Sequence, residues 1–117
     1  MSRLDRINHE LKKAIGEILL FEVKDERLRL ITVTQAITSA DLKQAKVYYT
    51  VLGDEKKRAD VARGLSSASG FMRQVLAHKM QMKYAPELIF YFDDTLDRSI
   101  KVEEMLDEIK DEDREED

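Results

Sequence analysis

The sequence contains no cysteine and no tryptophan, a single proline, two histidines and four glycines. Without cysteine there is neither a disulfide nor a thiolate metal site, and a reducing compartment is expected. The histidines, His9 and His78, do not stand at a spacing that pairs metal ligands, so no metal and no cofactor is expected. No apolar run approaches a membrane span, and no contact with membranes is expected. The opening stretch, MSRLDRINHELKKAIGEILL, lacks the charge-free apolar run of a secretory signal. Its acids from Asp5 onward argue against a transit peptide, which leaves a cytoplasmic protein as the expectation. Nucleotide-binding glycine motifs and a nucleophile elbow are missing too. A Ser-His-Asp set can be drawn from Ser67, His78 and Asp93, but no local signature supports it. The chain is therefore not expected to be an enzyme.

What is there is charge, unevenly placed. The formal net charge is only −4, yet residues 1–84 carry 16 Lys and Arg against 10 Asp and Glu, while residues 85–117 carry 4 against 14. A basic body with an acidic end suits a nucleic-acid partner. The same segregation also describes a solvated surface sorted by sign. At 117 residues one domain with an ordinary core is expected.

Residues 3–23 read as an amphipathic helix. Leu4, Ile7, Leu11, Ala14, Ile15, Ile18 and Leu19 follow the spacing of a buried face, and Ser2 suits the N-cap. Arg3, Arg6, Lys12 and Lys13 lie off that stripe. A polar connection, Lys24 to Arg27, leads to a strand from Leu30 to Ser39, in which Ile31, Val33 and Ile37 alternate with threonines. A turn at Ser39–Leu42 and a second strand over Gln44–Leu52 complete an antiparallel hairpin, with Ala45, Val47, Tyr49 and Val51 on one face. Gly53 stops this strand and Asp54 caps a helix. Tyr84-Ala85-Pro86 ends the helical region. A third strand, Leu88 to Asp93, is expected to lie parallel in the sheet, because a long helical crossover precedes it. A last helix spans 96–110. The acidic run 111–117 has nothing apolar to bury and is expected to be disordered.

The stretch SSASGFMRQVLAHKMQM, Ser66 to Met82, is the expected working surface. Apolar stripes run through Val61, Leu65 and Ala68 on one side and through Met72, Val75, Leu76 and Met80 on the other. Between them stand Ser66, Ser67, Ser69 and Gly70, residue types that disfavour a helix interior. A break over 66–70 is expected, dividing the segment into helices over 55–67 and 70–82. A helix starting at such a break would turn free N–H groups toward a phosphate. The same small residues also suit a packed helix–helix turn. Arg63, Ser67, Gly70 and Arg73 fall on roughly one face. Asp93-Asp94 could hold Mg²⁺, and equally reads as a strand end and helix cap. Tyr48 and Tyr84 suit either base stacking or packing.

The order helix, strand, strand, helix–break–helix, strand, helix resembles the type II KH arrangement, an α+β fold with a three-stranded sheet that binds RNA. Here Ala68-Ser69-Gly70 stands where that fold carries a GxxG loop. With Arg3 and Arg6, Glu22-Val23-Lys24-Asp25-Glu26-Arg27, Thr32-Val33-Thr34, Asp41-Leu42-Lys43-Gln44-Ala45-Lys46-Val47-Tyr48, Ala68-Ser69-Gly70-Phe71-Met72-Arg73 and Pro86-Glu87-Leu88-Ile89-Phe90 with Asp93, the chain resembles the bacterial ribosome-binding factor A family. In that family an Ala-x-Gly kink replaces the KH loop. Glu26 departs from it, since proline is expected before Arg27.

The resemblance implies a KH-like RNA-binding domain over 1–110 and a non-enzymatic assembly factor. Such a factor binds the 30S subunit and 16S rRNA late in maturation, supports 5′-end processing, matters most in the cold, and acts as a monomer. The residues that would then meet RNA are Arg3, Arg6, Lys12, Lys13, Lys43, Lys46, Arg63, Ser67, Ala68, Ser69, Gly70, Arg73, Lys79 and Lys83. A protein-interaction module docking on a ribosomal protein or a GTPase is the alternative. A small hydrolase using Asp93 and Asp94 is a third reading.

Overall fold

The computed structural model describes residues 1–115. Helix α1 spans Arg3–Phe21. The Asp5 N–H donates to the Ser2 hydroxyl at 3.1 Å, and the Ser2 N–H donates to the Asp5 carboxylate at 3.2 Å. Two of the helix's unpartnered donors are thereby satisfied. Leu11, Ile15, Ile18 and Leu19 are buried along the expected stripe. The connection after α1 is a 3-10 helix, Glu26–Leu30, capped by Asp25. Asp25 accepts from the Arg27 N–H at 3.1 Å and pairs with its guanidinium at 2.7 Å.

Strands β1 (Thr32–Thr38), β2 (Gln44–Thr50) and β3 (Glu87–Phe92) form one sheet in the order β1-β2-β3. β1 and β2 are antiparallel and β2 and β3 parallel, as the connection lengths require. α1 and the long helix α2 (Glu55–Lys79) cover one face of the sheet, and Ala45, Val47, Tyr49 and Val51 point into the core between them. The alternation expected in β1 holds only in part. A bulge between Val33 and Gln35 inverts it, so Ala36 and Thr38 are buried while Ile37 is 41% exposed. Thr34, the extra residue, donates its hydroxyl to Asp93 beyond the end of β3 at 2.6 Å. A bulge re-aims one side chain in this way at the expense of the period.

The break expected over 66–70 does not form. α2 runs unbroken from Glu55 to Lys79, so the two helices expected there are one. One glycine and three serines weaken a helix by roughly 2–3 kcal/mol relative to alanine. Val61, Leu65, Met72 and Leu76 are fully buried from that same helix. Burying side chains of this size is worth about 1.5–3 kcal/mol each, which outweighs the local preference. Ser69 further adapts by donating to the Ser66 carbonyl at 2.9 Å. No GxxG-like loop interrupts the crossover from β2 to β3. α2 ends with Gln81 in the left-handed region (φ 52°) and the Met82 N–H donating to the Ala77 carbonyl at 2.9 Å.

Helix α3 spans Thr95–Glu115, five residues beyond the expected end at 110. The acidic run expected to be disordered therefore continues the helix through Glu115, and residues 116 and 117 lie outside the described residues. Every α3 side chain through Lys110 is exposed, including Val102, Met105, Leu106 and Ile109. Its root is tied to the body by Arg58, which pairs with Asp97 at 3.0 Å and lies 4.2 Å from the Phe92 ring centroid.

Candidate nucleic-acid interface

The outward face of α2 carries Arg63, Ser67, Gly70 and Gln74 on successive turns, all exposed. Ala68 is half-buried and packs against the core, so it serves the fold. The two glycines of α2 differ in kind. A Cβ at Gly64 would lie 3.0 Å from a Leu28 methyl and 3.1 Å from an Asp25 carboxylate oxygen, so packing against the 3-10 helix needs glycine there. A Cβ at Gly70 would meet nothing within 4 Å. No internal contact requires glycine at position 70, and it leaves a bare patch of backbone in the middle of an exposed face. Because α2 is continuous, the N–H groups near Gly70 are committed to helix hydrogen bonds. They are not the free terminus that the sequence suggested for holding a phosphate.

The cations sort into groups. Arg73 donates through Nε to the Ala85 carbonyl at 2.9 Å, which joins α2 to the segment before β3. Gly70, Arg73, Gln74, Ala77, Lys83 and Tyr84 line one open depression of about 450 Å³. Lys83 lies with Nζ 5.6 Å from the Tyr84 ring centroid. A second depression, between α1 and the end of α2, brings Lys13 beside Lys79, with Glu10 and Glu17 on the same walls. Lys12 and Lys13 also line a hollow over the start of β1. Arg3 stands by Ala40 and Leu42 of the hairpin turn, next to which Lys43 lies. Arg6 is exposed on α1. Arg63 forms an ion pair with Asp60, which offsets its charge. Lys46 is not brought to this side at all. It projects from β2 between Ile37 and Ile89, on the sheet face away from both helices, because its neighbours Ala45 and Val47 point inward.

One residue of this face, Gln74, was not singled out in the sequence; it lies one turn beyond Gly70, and helical spacing was the only signal that could have found it. Tyr84, which the sequence offered for either base stacking or packing, is exposed, on a segment tied down by Arg73. Tyr48 stacks on Tyr91 on the open sheet face, with centroids 5.6 Å apart.

The two carboxylates beyond β3 have structural partners. Asp93 accepts from the Thr34 hydroxyl at 2.6 Å and from the Thr95 N–H at 2.9 Å. These bonds, the Thr34 hydroxyl foremost, lower its pKa to about 2. Asp94 pairs with Arg98 at 2.8 Å. Asp93 thus joins the sheet end to the start of α3, and Asp94 is held in an ion pair on the first turn of that helix. Among the described residues no group of three or more His, Cys, Asp or Glu could hold a metal ion, and no helix is long and apolar enough to cross a membrane.

Two helices over one face of a mixed sheet, with a bare-backboned helix face flanked by arginine and lysine, define a small α+β binding domain. A family model described as ribosome-binding factor A matches residues 3–106. Ribosome-binding factor A of Halothermothrix orenii is 41% identical over 97% of this chain and 96% of its own length. The crystal structure of ribosome-binding factor A from Thermus thermophilus superposes with a TM-score of 0.67 at 28% identity, covering 76% of this chain and 93% of that one. A homology model of the Thermus thermophilus factor, fitted into a cryo-electron-microscopy map of a 30S complex, gives 0.61 at 29% identity, covering 74% and 90%. The chain belongs to the ribosome-binding factor A family.

Proposed function

We propose that this protein binds the 30S ribosomal subunit through 16S rRNA during late maturation, with the outward face of α2 around Gly70 as the point of closest approach. It supports processing of the 16S rRNA 5′ end, matters most in the cold, and acts in the cytoplasm as a monomer without cofactor. Arg73, Lys83, Lys79 and Lys13 meet phosphates around that face, and Arg3, Arg6, Lys12 and Lys43 extend the contact along α1 and the hairpin turn. The observation that carries this reading is the unobstructed backbone at Gly70 between exposed cations. The Thermus thermophilus relative fitted to a 30S complex supports the same partner. The acidic α3 would be repelled by phosphate, so it is held away from the RNA.

The test is co-sedimentation of the full chain with immature small subunits across a salt series. Each phosphate-bound cation lost lowers the slope of log affinity against log salt by about 0.7–0.9. Arg63→Glu with Arg73→Glu weakens binding and flattens the slope. So does Lys12→Glu with Lys13→Glu, which removes no hydrogen bond of the fold. Parent-like binding and slope in both, with parent-like melting, would remove rRNA recognition from this surface. A second reading, docking on a ribosomal protein or a GTPase, is favoured by the exposed Val102, Met105, Leu106 and Ile109 of α3. It predicts subunit binding that is insensitive to both cation pairs and lost on removal of α3.

A further inference from the structure

Tyr84 is 76% exposed, the highest value for any aromatic side chain among the described residues. The segment that carries it is nevertheless held firmly. Ala85 and Pro86, the next residues, are buried, and Arg73 clasps the Ala85 carbonyl at 2.9 Å. The ring thus stands in water on an ordered base, with the Lys83 ammonium near one face. It differs from Tyr48 and Tyr91, which stack on each other. The depression beside the ring is about 450 Å³. Its lining includes Gly70 and Ala77, which add little bulk, and Gln74, whose amide both donates and accepts. A planar ring, an amide, two cations and a low floor together match one nucleotide. The ring meets the base face, the amide meets its edge, and the cations meet its phosphates.

We propose that this depression takes one unstacked base of single-stranded RNA. Tyr84 is the stacking platform, Gln74 contacts the base edge, and Arg73 and Lys83 hold the adjoining phosphates. The proposal rests on the rRNA reading above and narrows it. A duplex keeps its base faces inside the stack, whereas an unpaired stretch can offer one to an exposed ring.

The experiment measures binding of a short unstructured A/U oligoribonucleotide and of a blunt-ended RNA duplex, by fluorescence anisotropy across a salt series, using the full chain. The variants are Tyr84→Ala, Tyr84→Phe and Arg73→Ala. Loss of one stacked base weakens oligonucleotide binding roughly 5- to 150-fold. Stacking releases no counterion, so Tyr84→Ala shifts the line of log affinity against log salt without changing its slope, whereas Arg73→Ala flattens it. Tyr84→Phe retains the ring and binds like the parent. Because the side chain is exposed, Tyr84→Ala melts like the parent; if it does not, Tyr84→Leu replaces it under the same criteria.

Unchanged affinity in the ringless variant overturns the proposal, as does parent affinity for the duplex equal to that for the oligonucleotide. Loss of subunit binding with intact oligonucleotide binding also overturns it, because the ring would then face a protein. In each of these outcomes, salt-dependent co-sedimentation of the parent with subunits, weakened and flattened by the α1 lysine changes, leaves the rRNA reading standing. If that salt dependence is absent as well, both fall.

Discussion

In Gly70→Ala, fold stability and subunit binding are expected to move in opposite directions. Gly70 lies within the 25-residue helix α2, and a methyl group there would meet nothing within 4 Å. Alanine is favoured over glycine inside a helix by about 0.8–1.0 kcal/mol. With an unfolding entropy of about 2.1 cal/mol/K per residue, a domain of this size should melt roughly 3–4 °C higher. The same methyl stands on the face proposed to approach rRNA. Forcing an extra methyl into a close-packed contact costs about 1–3 kcal/mol, which weakens subunit binding by roughly 5- to 150-fold. Thermal unfolding by circular dichroism and co-sedimentation with immature small subunits read the two effects separately. A lower melting temperature would refute the unbroken helix, because only a strained or broken backbone at Gly70 makes alanine unfavourable there. A higher melting temperature with parent-like binding would show that the patch around Gly70 is not approached closely.

Gly64→Ala is expected to lower the melting temperature, since its methyl presses on Leu28 and on the Asp25 carboxylate held by Arg27; a value at or above the parent's would show that the 3-10 helix can give way. Glu26→Pro is expected to stabilise the fold by about 0.4–1 kcal/mol in denaturant titration, because residue 26 is the first of a 3-10 helix and Asp25 already has the extended backbone that a following proline needs. The folded pKa of Asp93 is about 2, below its ordinary 3.8, so its contribution is complete above the ordinary value and is lost as pH falls through about 2. The parent should therefore exceed Asp93→Asn in stability at neutral pH and match it near that lower value; an advantage that persists in acid would place the effect outside this carboxylate. Truncation after Lys110 should leave cooperative unfolding intact, since every α3 side chain up to that residue is already exposed; loss of the transition would mean that the acidic end supports the core.

The sequence by itself determined whatever depends on neighbours along the chain. The capping box of Ser2 and Asp5, the hairpin from Thr32 to Thr50, the Asp54 cap and the parallel placement of β3 follow from local hydrogen bonding, strand period and connection length. The family was also legible, because its motifs lie in order along most of the chain. Four features were decided only by the tertiary structure. α2 is continuous because burial of Val61, Leu65, Met72 and Leu76 acts collectively over four turns, while the preferences of Ser66, Ser67, Ser69 and Gly70 act one residue at a time. The bulge at Thr34 inverts β1, and its reward is a hydrogen bond to Asp93, 59 residues away. Arg63 is offset by Asp60 and Lys46 is turned to the far side of the sheet, although both look like equal members of a basic set in the sequence. The apolar stripe of α3, from Leu96 to Ile109, stays exposed among the described residues although Arg58 holds the helix root through Asp97, because periodicity specifies which residues share a face and not what that face meets.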